Sequence, residues 1–225
     1  LRAANSLSKQ MKISQQEALD LINQGFTRGA DVAGDFLDKV EEYPVQFANA
    51  GYSAQDFIDI AVQEPKGGIY GDKLLDAIKE TDLSLKEMTN TQKEALENAF
   101  GKKFADEIAK GLKTGEITTK DAIGRIIAES DKIGLNMQQQ QQLVADVFKG
   151  AGEDAGGFRE IILQINEAFN EENKKLNENE QATARLVKAN SEYEQALADL
   201  FDASKSGFPA MLSNLKAISA EIFTN

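Results

Sequence analysis

Apolar residues recur along the first two thirds of the chain at intervals of three and four. They fall at Ala18, Leu19, Ile22 and Phe26, at Phe57, Ile58, Ala61 and Val62, at Ile123, Ile126 and Ile127, and at Leu143, Val144, Val147 and Phe148. That spacing covers one side of an α-helix with carbon, so each run predicts an amphipathic helix facing a core. No stretch alternates with period two for long enough to predict a strand. The helix starts share one grammar. Ser14 with Glu17 is a full capping box, in which the Ser hydroxyl accepts from the third helical N–H while the acid reaches back to the cap nitrogen. Ser53 with Asp56, Thr118 with Asp121 and Asn136 with Gln139 are variants, the Asp versions weaker because that side chain is shorter. Glycine and proline punctuate between the runs, at Gly25, Gly29, Gly34, Pro65 to Gly68, Gly111 to Gly115 and Gly134. Residues 1–150 are expected to form a compact array of short helices, an all-α fold.

Two of these units nearly repeat. Ser14-Gln-Gln-Glu-Ala-Leu-Asp-Leu-Ile22 parallels Ser53-Ala-Gln-Asp-Phe-Ile-Asp-Ile-Ala61, and Gly34-Asp-Phe-Leu parallels Gly71-Asp-Lys-Leu, about 38 residues apart. A third echo opens at Ile117-Thr118 with an irregular offset. A stacked helix-hairpin repeat would use such a spacing, but two clear copies make only a partial one, and the echoes read as recurring cap grammar within one helical domain.

The pattern changes at Gly150-Ala-Gly-Glu-Asp-Ala-Gly-Gly157, read as a glycine-rich hinge over 151–157. Neither Gly nor Pro then occurs for 49 residues, over 158–206. A 4,3 alternation runs through this stretch at Phe158, Ile162, Ile165, Phe169, Leu176, Leu186, Tyr193, Leu197 and Leu200, with polar residues at Glu172, Asn179, Thr183 and Asn190 in the same frame. This is the spacing of a coiled-coil seam, and it predicts a long helix, or a helical hairpin if the Asn-rich 173–179 stretch breaks it. Two readings of the seam stay open: it packs back on the helical array of its own chain, or it pairs with another helix in an oligomer. A terminal amphipathic helix is expected over 207–225, carrying Leu212, Leu215, Ile218, Ile222 and Phe223. The absence of Met at Leu1 and the apolar pattern running to the last residues suggest a piece of a longer polypeptide.

Composition narrows the chemistry. The net charge is −12, with 37 acidic against 25 basic side chains spread along the chain, so neither nucleic acid binding nor membrane binding is expected of this segment. Cys, His and Trp are absent, which removes thiol nucleophiles, imidazole bases, the commonest zinc ligands and disulfides. Gly150-x-Gly152-x-x-x-Gly156 lacks both the glycine spacing and the preceding strand of a dinucleotide loop. The acids Asp31, Asp35 and Asp38, and the pair Glu153 and Asp154, lack the alternating-oxygen spacing of a calcium loop. Gln138 to Gln142 reads as a polar helix face. No catalytic residue, cofactor or metal is therefore predicted; an enzyme remains only as a third option after a structural protein and a helical adaptor.

Four segments taken in order are similar to a known family. They are Ile13-Ser-Gln-Gln-Glu-Ala-Leu-Asp-Leu-Ile-Asn-Gln-Gly-Phe26, Gly34-Asp-Phe-Leu-Asp-Lys-Val-Glu-Glu-Tyr-Pro-Val-Gln-Phe47, Ala50-Gly-Tyr-Ser-Ala-Gln-Asp-Phe57 and Asp146-Val-Phe-Lys-Gly-Ala-Gly-Glu-Asp-Ala-Gly156. Together they resemble phage tail tape measure proteins, the large minor tail proteins of long-tailed phages and prophages. The resemblance covers residues 1–157 specifically and the remainder only in helical character. It implies a structural protein of the tail lumen, assembled in the host bacterial cytoplasm, that sets tail length, templates tube assembly and leaves ahead of the DNA. It also implies tail tube, tail tip and tail assembly chaperone proteins as partners, with self-association through the long helix as an addition. It carries over no catalytic residue in this region. The alternative is a helical-repeat adaptor that holds a peptide or helix of a protein partner in a groove between hairpins.

Overall fold

The computed structural model describes residues 2–69 and 71–169, all of which fall in one compact unit that clusters as residues 1–176. Among the described residues the fold is all-α, and no helix exceeds 15 residues. In order they are α1 (Arg2–Met11), α2 (Gln15–Thr27), α3 (Phe36–Glu42), α4 (Pro44–Ala50), α5 (Ala54–Lys66), α6 (Lys73–Glu87), α7 (Asn90–Phe100), α8 (Lys102–Thr114), α9 (Thr119–Ile133) and α10 (Met137–Leu143). A π-helical turn, Val144–Phe148, leads into α11 (Lys149–Asp154), and α12 (Phe158–Phe169) follows.

Ser14, Ser53, Thr118 and Asn136 each stand at the N-cap of a helix and accept from the backbone N–H three residues on. The division between full and weaker boxes is reversed. Ser53–Asp56, Thr118–Asp121 and Asn136–Gln139 close both arms, whereas Ser14 shows the forward arm from Glu17 N–H at 3.1 Å. A fifth cap of the same grammar, Thr89 with Gln92, opens α7.

The organising element is α5. Every residue from Phe57 to Glu64 is buried, so this helix is enclosed on all sides rather than on one face. It packs against α2, α4, α6 and α12, while α6 beside it receives α4, α8, α9, the π-helical turn and α11. The two form a hub. Phe57 meets Phe47 of α4 edge-on at 5.2 Å between ring centroids, and both side chains are fully buried. Gly51 lets α4 end tightly beside the start of α9. Its φ is +93°, and a Cβ there would lie 2.5 Å from Thr118 Cβ.

Part of the stretch expected as a hinge over 151–157 is helical. Residues Lys149–Asp154 form α11, which packs on α6, and Ala155 and Phe158 on either side of the double glycine are buried. Glycine serves close packing here: a Cβ on Gly152 would lie 2.7 Å from Phe148 Cβ, so only a bare backbone fits. The boundary expected at residue 150 therefore falls inside the core, because α12 packs along α5. Of the long helix expected over 158–206, the described part is α12, and its remainder together with the terminal helix of 207–225 lies outside the described residues.

Candidate docking groove

A helix enclosed like α5 must satisfy its polar side chains from its neighbours, since a buried polar group without a partner costs more than a hydrogen bond returns. Each of its three buried polar groups meets a different element. Asp59 pairs with Arg28, just past α2, in an ion pair with both side chains at least 95% buried. Gln63 donates to Gln164 of α12 at 2.7 Å. Glu64 accepts from Lys39 of α3 at 2.9 Å and from the Leu74 N–H at the start of α6 at 2.7 Å, so one carboxylate pairs a lysine and caps a helix. Burial pushes the Glu64 carboxyl above its ordinary range, with Lys39 and the α6 amides pulling the other way.

The same arrangement recurs on α6. Asp82 accepts from Thr119 of α9 at 2.6 Å and from Lys86 at 2.8 Å, and Ser84 donates to the Asp146 carbonyl of the π-helical turn at 3.1 Å. The Tyr43 hydroxyl lies 2.5 Å from Asp72 and 2.9 Å from Asp76, and burial first, then those carboxylates, pushes its pKa up. Lys120 of α9 donates to Asp56 at 2.6 Å with its ammonium over the rings of Tyr52 and Phe169. Burial works against ionisation of Asp56, yet Lys120 and the Ser53 cap outweigh it and hold that carboxyl below its usual range.

These contacts place two walls facing each other, the C-terminal turn of α9 with the start of α10, and α12. Between them lies an open groove of about 710 Å³. Leu135, Phe158, Ile162 and Leu163 supply its apolar surface, with Asp131, Arg159 and Glu160 at its edges. Leu163 is 49% exposed, and Ile133 and Met137, neighbours of Leu135 in sequence, are also exposed. Such an open, mixed trough suits a helix or peptide that presents both apolar and polar groups better than a small substrate that must be enclosed.

The candidate seam residues separate. Phe158, Ile162 and Ile165 are buried and Phe169 is half-buried, all on α12, which packs against α5, α10 and α11 of its own chain. Leu176, Leu186, Tyr193, Leu197 and Leu200 lie outside the described residues. Ile161 is fully buried and Ala168 nearly so, giving α12 a broader stripe than two positions per heptad, as expected for a helix packed in a globule. Leu163 falls outside both that stripe and the 4,3 frame, and this was the available sign of a second apolar surface.

A second concavity, of about 550 Å³, lies between Gly67, Gly68 and Gly156, with Lys73 and Glu160 lining it. The element before the glycine-rich segment is helical, so the strand–loop–helix geometry of a nucleotide site is absent there. Asp31 accepts from the Phe36 N–H at 3.1 Å and Asp35 pairs with Lys39 at 3.2 Å, so these acids serve local structure. Among the described residues no acidic cluster could hold a metal ion, and no helix is long and apolar enough to cross a membrane. Comparison with protein-family models, with curated proteins and with solved structures returned no match.

Proposed function

We propose that this chain is a structural segment of a phage tail tape measure protein, acting in the tail lumen alongside tube, tip and chaperone proteins after assembly in the bacterial cytoplasm. The observation that carries the reading is the order and spacing of the four resembling segments. Those segments contribute Ala18, Phe36, Phe47, Phe57 and Phe148, all fully buried, to one core. The stretch that carries the resemblance thus belongs to a single folded unit rather than to an extended rod.

Within this reading the folded unit contributes docking rather than length. As one continuous helix, 169 residues would span about 250 Å at roughly 1.5 Å per residue. A compact domain of that size has a radius of gyration of only about 15 Å. Measuring then falls to other parts of the parent polypeptide. In-frame deletion of residues 1–169 from the encoding gene, with electron microscopy of the particles, tests this. Loss of tails, or tails of unregulated length, is expected. Normal tails shorter by about 250 Å would show that the unit measures as extended helix, and unchanged tails would overturn the tail reading.

A second reading, a helical adaptor holding a peptide or helix of a protein partner, is favoured by the open groove between α9–α10 and α12. Mass spectrometry of purified tails separates the two, since an adaptor would be missing from them.

A further inference from the structure

We infer that the groove between α9–α10 and α12 is a docking site for a basic amphipathic helix of a different protein. The site belongs to the folded unit whether that unit sits in a tail or in an adaptor, so a binding measurement and a tail-length measurement fail independently.

The shape sets the first requirement. The lining residues of α12 run from Phe158 to Asn166, a wall about 12 Å long at roughly 1.5 Å per residue, which matches a partner presenting anchors at i, i+3 or i+4, and i+7. Leu163 and the half-buried Leu135 offer those anchors hydrocarbon, with the buried Phe158 and Ile162 beneath them. The half exposure of Leu163 leaves apolar surface in the groove that such a helix would cover.

Charge sets the second requirement and decides among occupants. Residues 1–157 carry 26 acidic and 18 basic side chains, and the whole chain is at −12. At the groove itself Asp131 and Glu160 outnumber Arg159. A second copy would bring the same acidic field against itself, whereas a helix with Lys or Arg beside its apolar stripe is drawn in by that field. Asn166 lies on the α12 side for the flank of such a helix, while Ser130 and Gln140 on the other side already donate to the Ile126 and Leu135 carbonyls.

The test uses the full 225-residue chain and a synthetic peptide of about 16 residues, with Leu at helical anchor spacing and Lys on both flanks. A second peptide carries the same Leu positions with Glu flanks. Calorimetric titration is expected to show one saturable site for the Lys peptide, and binding at least tenfold weaker for the Glu peptide, as a rough scale for reversed steering charge. Leu163→Glu is expected to weaken the Lys peptide by about tenfold or more, as loss of an anchor contact does. That variant adds a negative charge, so diffuse attraction to an acidic protein would instead strengthen binding. Leu83→Glu, at an exposed leucine of α6, is expected to leave binding unchanged. Absence of saturable binding, as when the chain covers its own groove, overturns the inference. So do equal binding of the Glu peptide, insensitivity to Leu163→Glu, and a dimer in sedimentation that Leu163→Glu dissolves.

Discussion

Replacing Lys39 by Met tests whether the polar contacts of the hub specify its packing. The ammonium of Lys39 is buried and lies 2.9 Å from Glu64, whose side chain is 0% exposed. At an effective dielectric of about 20, two charges at that distance attract by roughly 6 kcal/mol, part of which offsets their lost hydration. Met fills the lysine stem but leaves Glu64 charged and enclosed, with only the α6 amides as partners. A loss of about 3–5 kcal/mol is expected at pH 7. Glu64→Gln should cost less, about 1.5–3 kcal/mol, because an amide oxygen can still cap Leu74 and Lys39 keeps Asp35 at 3.2 Å. The pH dependence carries an independent sign. The Glu64 carboxyl already lies above its unfolded value, and removing Lys39 raises it further, so the folded variant takes up a proton that the unfolded chain does not. Its stability is then fully present below the unfolded carboxylate range and is lost as pH rises through the folded value. The penalty of Lys39→Met should therefore shrink between pH 7 and pH 5. Urea melts followed by circular dichroism at both pH values measure it. A loss below about 1 kcal/mol at pH 7, or one that grows on acidification, would refute the argument.

Phe57→Ala empties a fully buried site facing Phe47 and should cost about 3–5 kcal/mol in the same melts; a change under about 0.5 kcal/mol would mean that this face of α5 is not core. Gly152→Ala and Gly124→Ala form a contrasting pair. The first forces a Cβ to within 2.7 Å of Phe148 Cβ and should destabilise by about 1–3 kcal/mol, whereas the second meets nothing within 4 Å in mid-α9 and should stabilise by about 0.5–1 kcal/mol. Stabilisation by both would show that Gly152 is not closely packed against Phe148. Asp56 is held below the usual carboxylate range, so its contribution is present above the unfolded pKa of about 4 and is lost as pH falls through the folded value. Asp56→Asn should flatten the acid limb of the stability curve, and an unchanged limb in acid titration would contradict the Lys120–Asp56 pairing.

Local signals were legible in the sequence and environmental ones were not. A cap is a contact across three residues, so Ser14, Ser53, Thr118 and Asn136 could be read directly, and Thr89 with Gln92 offered the same signal before Ala95, Leu96 and Ala99. Pro44 at the first turn of α4 was another available sign. The burial of Asp59, Gln63 and Glu64 depends on what surrounds α5, and nothing in their spacing distinguishes a solvated face from an enclosed one. The glycines of 150–157 were ambiguous for a related reason. Glycine permits both flexibility and close approach, and only the position of Phe148 against Gly152 decides between them. The groove was equally hidden, because its walls come from elements separated by more than a dozen residues, and its one local sign was a leucine outside the expected frame.

The buried polar pairs and the groove are connected through the hub. One wall, α12, is tied to α5 by Gln63 and Gln164, while the other begins in α9, tied to α6 by Asp82 and Thr119 and to α5 by Lys120 and Asp56. Apolar packing alone tolerates a helix sliding by a fraction of a turn, since one leucine resembles the next at little cost. A buried hydrogen bond does not tolerate it, because a slip leaves a donor and an acceptor stranded without water. Gln63, Asp82 and Asp56 thus set the register of both walls against the same pair of helices and so fix the width between them. A groove whose width is fixed before binding spares its partner the ordering cost that a mobile surface would impose. The charges enclosed around α5 and α6 need not make the array more stable than an apolar hub would; their consequence is one defined spacing between α9 and α12, which is what recognition of a helix by shape requires.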